Sequence, residues 1–313
     1  MEERWRTLVK AFFAARNRAW ITGDVEELLS FSLDGHVRQR IIKDIQLLGR
    51  AAEQRGCTYR GSKTRLEILR AHCKDHECTL DLREHKLWFY QQAGEIESTA
   101  RSQNIRLHLI NEDIWKIHDV QIEFENKQTT GSLIATDGPS LLYETNEYRG
   151  TYDRLRAFKY AELWWNGFNP GYLKFQVDCT NYVSQVIAAG GFPMEFHARR
   201  DRGWWYRHKG GTHDTWSFSW AVANALRLYL EHSRRTQRVE HPSQLKIGDV
   251  ICYDWDGDGR WQHNTVVVDF DNQGMPLVNA HTVASHRRYW DYQDSYAYTE
   301  RTQYRFYHIL DTF

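Results

Sequence analysis

A chain of 313 residues with 41 basic and 41 acidic side chains carries no net charge, so no global field draws it to nucleic acid or to an anionic membrane surface. Its length allows two ordinary domains, each able to bury a core. No run is apolar enough for a membrane span, and "MEERWRTLVKAFFAARNRAW" spreads charge through its apolar positions where a leader would not, so a cytoplasmic chain is expected.

The five cysteines, Cys57, Cys73, Cys78, Cys179 and Cys252, are odd in number and scattered, which speaks against a disulfide framework and for a reducing compartment. The 13 tryptophans and 17 tyrosines suit an aromatic core, and also a groove for an extended polymer or peptide.

Leu8, Phe12, Ala15 and Ala19 recur at helical spacing, and Asp24 in "TGDVEELL" stands as an N-cap with Glu27 three residues on. With the apolar stripe of "LDGHVRQRIIKDIQLLGRAAE", residues 4–54 read as two or three helices. After Gly56 the period becomes two: "TRLEILRAH", "TLDLREHKLWFYQQ" and "NIRLHLINEDIWKIHDVQIEFEN" are antiparallel strands with one wet face. "HCKDHEC", His72 to Cys78, crowds metal-type side chains into one short loop, whereas tetrahedral zinc is commonly held by separated pairs. A solvated hairpin is the expected reading.

Helices followed by a long-stranded meander, with "IWKIHDVQ" near its end, resemble the SnoaL-like cone fold, in which a curved sheet wraps a helix. The resemblance implies an accessory α+β domain over residues 1–126. The turn-rich stretch from Glu125 to Gly150 then reads as a boundary, with a linker over 127–150 and a second domain over 151–313. Helical spacing resumes through Leu155, Phe158, Ala161 and Leu163, and "NGFNPGY" stops that helix.

In "FQVDCTNYVSQVIAAGG" the apolar residues Tyr182, Val183, Val186 and Ile187 share one helical face, which places Cys179 in the first turn. The positive end of the helix dipole there favours a thiolate, the form that attacks carbonyls. Downstream, Asp249–Tyr253 reads as a strand, His263 opens a second that runs through Val268, and Leu277–His281 forms a third. Asn279 and His281, two apart, project from one face. A thiol, an imidazole and an orienting polar group can line up on such elements. Cys252, inside the apolar strand "DVICYDW", reads as a buried structural thiol. Asp254, Asp256 and Asp258 form the first half of a calcium-loop pattern, but Thr265 stands where the bidentate glutamate belongs, so an Asp–Gly turn is favoured. "HARRDRGWWYRHKGGTHDTW" gathers arginine, histidine and tryptophan, suited either to gripping an acidic peptide or to a solvated loop anchored by its rings.

The motifs "VDCTNYVSQVIAAGGFPM", "TWSFSWAVANAL", "LKIGDVICYDWDGDGRWQHNTVVV" and "PLVNAHT" occur in an order that closely resembles the putative amidase domain family, whose members look like relatives of NlpC-type papain-like hydrolases. The resemblance runs from about Tyr152 onward. It implies an α+β, papain-like domain with a helix packed on an antiparallel sheet, Cys179 as nucleophile, His263 as base and Asn279 as third residue, with His281 the competitor on the same face. Asp178, Trp204, Trp205 and Trp216 are candidate supports of that site. The implied activity is cysteine-dependent cleavage of peptide or peptidoglycan-like amides without a cofactor. Acyl transfer through the same thioester and a non-catalytic binding or assembly module are the rival readings.

Overall fold

The computed structural model describes residues 2–31, 34–122 and 150–313; the expected linker, 127–150, lies outside the described residues except for Gly150. The architecture is α+β, with extensive antiparallel sheet and several helices, and it separates into two compact units. One holds the described residues up to 122 with 292–296, the other those from 150 to 291 and from 297 to 313. Among the described residues no helix is long and apolar enough to cross a membrane.

In the first unit α1 (Glu2–Thr22), the one-turn α2 (Glu26–Leu29) and α3 (Gly35–Gln54) precede a four-strand meander. Its strands β1 (Cys57–Lys74), β2 (Glu77–Gln92), β3 (Glu95–Asn111) and β4 (Trp115–Ile122) pair antiparallel in chain order. Trp5, Val9, Phe12 and Ala19 of α1 and Val37, Ile41, Ile45 and Leu48 of α3 recur every three, four or seven positions, so each helix presents one apolar stripe. The stripes share a core with Leu80, Leu82, Trp88 and Tyr90 of β2 and Ile105, Leu107 and Leu109 of β3.

Two local expectations are corrected. Asp24 does not cap α2: Val25 holds that position, Asp24 accepts from the Glu26 N–H at 2.9 Å, and Glu27 turns to Arg18 instead of closing a capping box. The side-chain cap belongs to Asp34, which accepts from the His36 N–H at 2.8 Å and opens α3. Nor are all five cysteines unpaired. Cys73 and Cys78 face each other in the β1–β2 register, 4.0 Å apart at Cα, and are bonded as a disulfide, so this hairpin tip offers no thiolates to a metal. From Glu67 to Glu77 the hairpin is exposed on both faces, with a register shift between Ile68 and Arg70.

Charge is buried inside this unit. Glu84, fully buried, pairs with Arg16, accepts from Gln103 Nε2 at 2.9 Å and lies 3.7 Å from Lys86 Nζ. Burial pulls the Arg16 guanidinium down to about 9, so it remains charged at neutral pH. The guanidinium also stacks on Phe13 and Trp20, each at 4.3 Å.

The second unit begins with α4 (Arg154–Trp164), capped by Asp153 through the Arg156 N–H at 2.9 Å, and α5 (Cys179–Ala189). A short hairpin of β5 (Tyr206–Arg207) and β6 (Thr215–Trp216), then α6 (Phe218–Ala221) and α7 (Ala223–His232), lead to the sheet strands. These are β7 (Thr236–Val239), β8 (Val250–Asp254), β9 (His263–Phe270), β10 (Pro276–Ala280), β11 (Ala284–Tyr289) and β12 (Gln303–Ile309). Within this unit they lie in the order β11-β10-β9-β8-β12-β7, each neighbour antiparallel. Val183, Val186 and Ile187 of α5 meet Val250, Cys252, Val266 and Val268 of the central strands. Gly190 ends α5 where any Cβ would lie 2.3 Å from the Tyr152 ring, and that ring's hydroxyl donates to Gly248 O at 2.9 Å.

Replacing Glu84 by alanine removes a buried carboxylate that Arg16 and Lys86 share and leaves them Asp44, so Glu84→Ala is expected to destabilise the protein by about 3 kcal/mol. Chemical denaturation followed by tryptophan fluorescence measures this; a loss below about 1 kcal/mol would show that Arg16 and Lys86 find other partners.

Candidate active site

Between α4 and α5 the chain runs back to a point fixed by Asp178. This residue precedes α5 in the cap position, yet its carboxylate does not cap the helix backbone. Oδ1 accepts from the Phe175 N–H and from Asn181 Nδ2, both at 2.9 Å, and Oδ2 lies 2.8 Å from His281 Nδ1. The Asp178 N–H donates to Thr282 Oγ1 at 3.3 Å. Asn181 in turn donates to Leu173 O at 3.0 Å and accepts from Trp220 Nε1 at 2.8 Å.

Cys179 is the first residue of α5 and is 2% exposed. Its sulfur lies 3.7 Å from Thr180 Oγ1, and the backbone amide of Asn264 acts on it electrostatically. Burial pushes the thiol up, and the Asp178 charge adds to that; the Asn264 and Thr180 contacts oppose it without prevailing. Burial thus opposes the activation expected from helix position. Cys252, fully buried in β8, is likewise pushed up by burial.

His263 is the first residue of β9, immediately before Asn264, which bonds to Thr180 at the start of α5. Thiol and imidazole are thus carried by adjoining backbone. The His263 ring packs at 5.5 Å from Tyr253 and 5.8 Å from Trp255, and Tyr253 is its cross-strand partner. Asn264 also fixes the helix start, donating from Nδ2 to Thr180 Oγ1 at 3.1 Å. Nothing in the sequence pattern singled out Asn264 and Thr180; the available signal was an amide interrupting the apolar face of "HNTVVV".

Asn279 does not act as expected. Its Nδ2 donates to Glu162 Oε1 at 3.1 Å, and its oxygen accepts from the Arg287 N–H at 2.8 Å, so the amide ties β10 to α4 and β11. Burial pushes the Glu162 carboxyl up, but His286, Asn279 and Arg287 outweigh it and leave the group below its ordinary range. His281 also meets α4: Nε2 lies 2.7 Å from Trp164 O, while the ring stacks on Tyr182 with centroids 4.1 Å apart. Asn279 oxygen and both His281 nitrogens are thereby engaged away from the His263 ring.

The tryptophans divide. Trp204 and Trp205 are core residues, their indole N–H groups donating to Ser184 Oγ and Arg202 O, each at 3.1 Å. Trp216 is half-buried and borders the loop before Cys179, with its ring 4.8 Å from Phe175 and the Arg200 guanidinium 4.7 Å above it. In "DWDGDG" the Asp254 carboxylate accepts from the backbone N–H groups of Gly257, Asp258 and Gly259 at 2.9, 3.3 and 2.7 Å, and Asp258 accepts from the Arg260 N–H at 2.9 Å. Of the candidates Asp254, Asp256 and Asp258, the first and last are thus bonded to the backbone of the turn. Among the described residues no group of three or more His, Cys, Asp or Glu side chains is arranged to hold a metal.

Residues 151–307 match the family described as "Putative amidase domain". "Uncharacterized protein YhbB" of Bacillus subtilis (strain 168) is 49% identical over 163 residues, covering 51% of this chain and 51% of the relative. "Uncharacterized protein YjcM" of the same strain is 25% identical over 168 residues, covering 50% of this chain and 37% of the relative. The chain thus spans about half, or less, of the length of these curated relatives. The crystal structure of the intermembrane space region of chloroplast protein ARC6 aligns with 37% of this chain and 91% of its own at 14% identity, with a TM-score of 0.28, too low to bear on the fold.

Because Asp254 gathers three amides while fully buried, Asp254→Ala is expected to cost at least ~2 kcal/mol of stability. Calcium against a chelator should leave the melting temperature of the wild type unchanged in differential scanning calorimetry, since these oxygens already have donors. A rise of many degrees with calcium would contradict this account.

Proposed function

Because this chain belongs to that amidase domain family, which points to a hydrolase acting on amides, we infer that it is a cysteine-dependent hydrolase with Cys179 as nucleophile and His263 as base. The observation that carries the reading is the meeting of the α5 start with the β9 start, where Asn264, next to His263, donates from Nδ2 to Thr180 Oγ1 at 3.1 Å, next to Cys179. In this reading α5 on its antiparallel sheet is a papain-like, NlpC-related arrangement, and residues 1–126 form an accessory domain of the SnoaL-like cone type.

The thiol passes its proton to His263 as sulfur bonds to the substrate carbonyl carbon. The imidazolium returns that proton to the leaving nitrogen as the C–N bond breaks, and the acyl group remains as a thioester on Cys179. His263 then takes a proton from water, whose oxygen attacks the thioester; the C–S bond breaks and the proton returns to sulfur. The Asn264 amide steadies the thiolate, and the backbone N–H of Cys179, in the first turn and without an intrahelical acceptor, serves the carbonyl oxygen. With Asn279 engaged by Glu162 and Arg287, the reading rests on Cys179 and His263. A peptide or peptidoglycan-like amide is the proposed substrate; an amine in place of water turns the same thioester to acyl transfer.

The burial of Cys179 favours a second reading, a binding or assembly module in which the thiol fills the core. Amine release from purified peptidoglycan and from a dipeptide-amide library, with acid-quench mass spectrometry for a Cys179 acyl adduct, separates the two. Cys179→Ala and His263→Ala are expected to lower turnover roughly a thousandfold or more, and Asn279→Ala to lower melting temperature more than turnover. Full amine release by Cys179→Ala would exclude the thiol mechanism, and its complete absence from wild type on every substrate would favour the module.

A further inference from the structure

The Asp178–His281 contact has a proton arrangement that can be read from its neighbours. His281 Nε2 faces the carbonyl of Trp164, which only accepts, and Nδ1 faces Asp178 Oδ2. Trp164 is the last residue of α4, so its carbonyl belongs to the negative end of that helix, where a cation is favoured. The ring also stacks on Tyr182, and both partners of the pair are almost wholly buried, at 2% for Asp178 and 4% for His281. On the other side, Asp178 Oδ1 receives the Phe175 N–H and Asn181 Nδ2. Each nitrogen of the His281 ring therefore faces an acceptor oxygen, one of a carboxyl group and one of a backbone carbonyl.

We propose that His281 is a positioning residue that acts through Asp178: its imidazolium cancels the buried carboxylate that immediately precedes Cys179, so that a thiolate can form there. This rests on Cys179 being the nucleophile, and it assigns His281 to Asp178 instead of to the base. The need for such cancellation is visible at the sulfur, where the Asp178 charge adds to burial in opposing ionisation. Other titratable groups around the pair do not replace His281. Tyr160 of α4 senses the Asp178 charge and is itself pushed up, by burial first, which keeps it neutral. Glu162 on α4 is bonded to Asn279 and His286 and lies 3.6 Å from Arg287. Around the sulfur, Cys252 of β8 is a neutral thiol, and His263 opens β9.

The test reads Cys179 ionisation, separately from hydrolysis. The pH dependence of Cys179 alkylation by iodoacetamide, located by peptide mass spectrometry, is measured for wild type, His281→Gln and the double variant Asp178→Asn with His281→Gln. A glutamine keeps a hydrogen-bond donor to Asp178 without its charge, and the double variant is a neutral pair with carboxylate and imidazolium both gone. In His281→Gln the midpoint is expected to rise by about one pH unit, roughly a tenfold loss of rate at a fixed lower pH, and in the double variant to return toward wild type. The ultraviolet thiolate absorbance, taken as the difference from Cys179→Ser, gives the same midpoint without dependence on reagent access. Equal rises in the single and double variants, or no rise in either, would overturn the proposal. If His281→Gln fails to fold, Asp178→Asn alone carries the test: its midpoint must not rise above that of wild type, and a rise overturns the proposal. Loss of hydrolytic activity by the reading above would leave these midpoints measurable, so the two failures are distinct.

Discussion

The contact between Asp178 and His281 joins the last carbonyl of α4 to the entry of α5, and the position of Cys179 depends on it. One carboxylate receives the backbone of Phe175, the side chain of Asn181 and the ring of His281, while its own N–H binds Thr282. Segments remote in sequence are thereby brought to a single residue. A helix end leaves backbone groups without partners, and here two helix ends, opposite in polarity, are bridged by an acid and a base. The helix start is then fixed from the sheet side by Asn264, whose side chain donates to Thr180.

Much of this frame is legible in the sequence because it is local. The change from a polar loop to the stripe Tyr182, Val183, Val186 marks the start of α5, alternation marks β1 to β4, and short apolar runs bounded by turns mark β8 to β10. The partners of Asn279 and His281 were not legible: period two tells which face a side chain shares, but not which element covers that face, and the answer, α4, lies 117 residues upstream. The disulfide escaped for a related reason. An odd count and irregular spacing hide a pair that only the strand register sets opposite one another. Trp204 and Trp205 show the limit of composition, since a tryptophan suited to a groove is equally suited to a core, and only burial distinguishes them.

The balanced charge of the chain conceals how its acids are used. Asp254 organises its turn through three backbone amides, and Asp249 accepts from Arg154, the Lys246 and Ile309 N–H groups and lies 2.8 Å from His308 Nδ1. Asp214 receives the Lys209 and Gly210 amides and the Tyr206 hydroxyl, and the Lys209 amide is the largest influence holding its carboxyl below the ordinary range. A carboxyl lowered in this way adds stability above its unfolded value and loses it as pH falls through the folded one. These residues stiffen loops that have no regular hydrogen-bond ladder of their own. Gly257 completes the turn at a φ of 65°, where any side chain would collide with Arg301 O at 2.5 Å.

Strand β1 stands at the edge of its sheet, and its outer half is exposed on both faces, with Ile68 and Leu69 open to water. An edge of that length is a template on which a second chain can add a strand. Three features make it a poor one. Glu67, Arg70 and Lys74 place charge along it, the shift between Ile68 and Arg70 bends its line of hydrogen-bonding groups, and the Cys73–Cys78 bond keeps the hairpin from slipping by a residue. The longest hairpin of the protein is thus guarded against fibrous self-association by its own register.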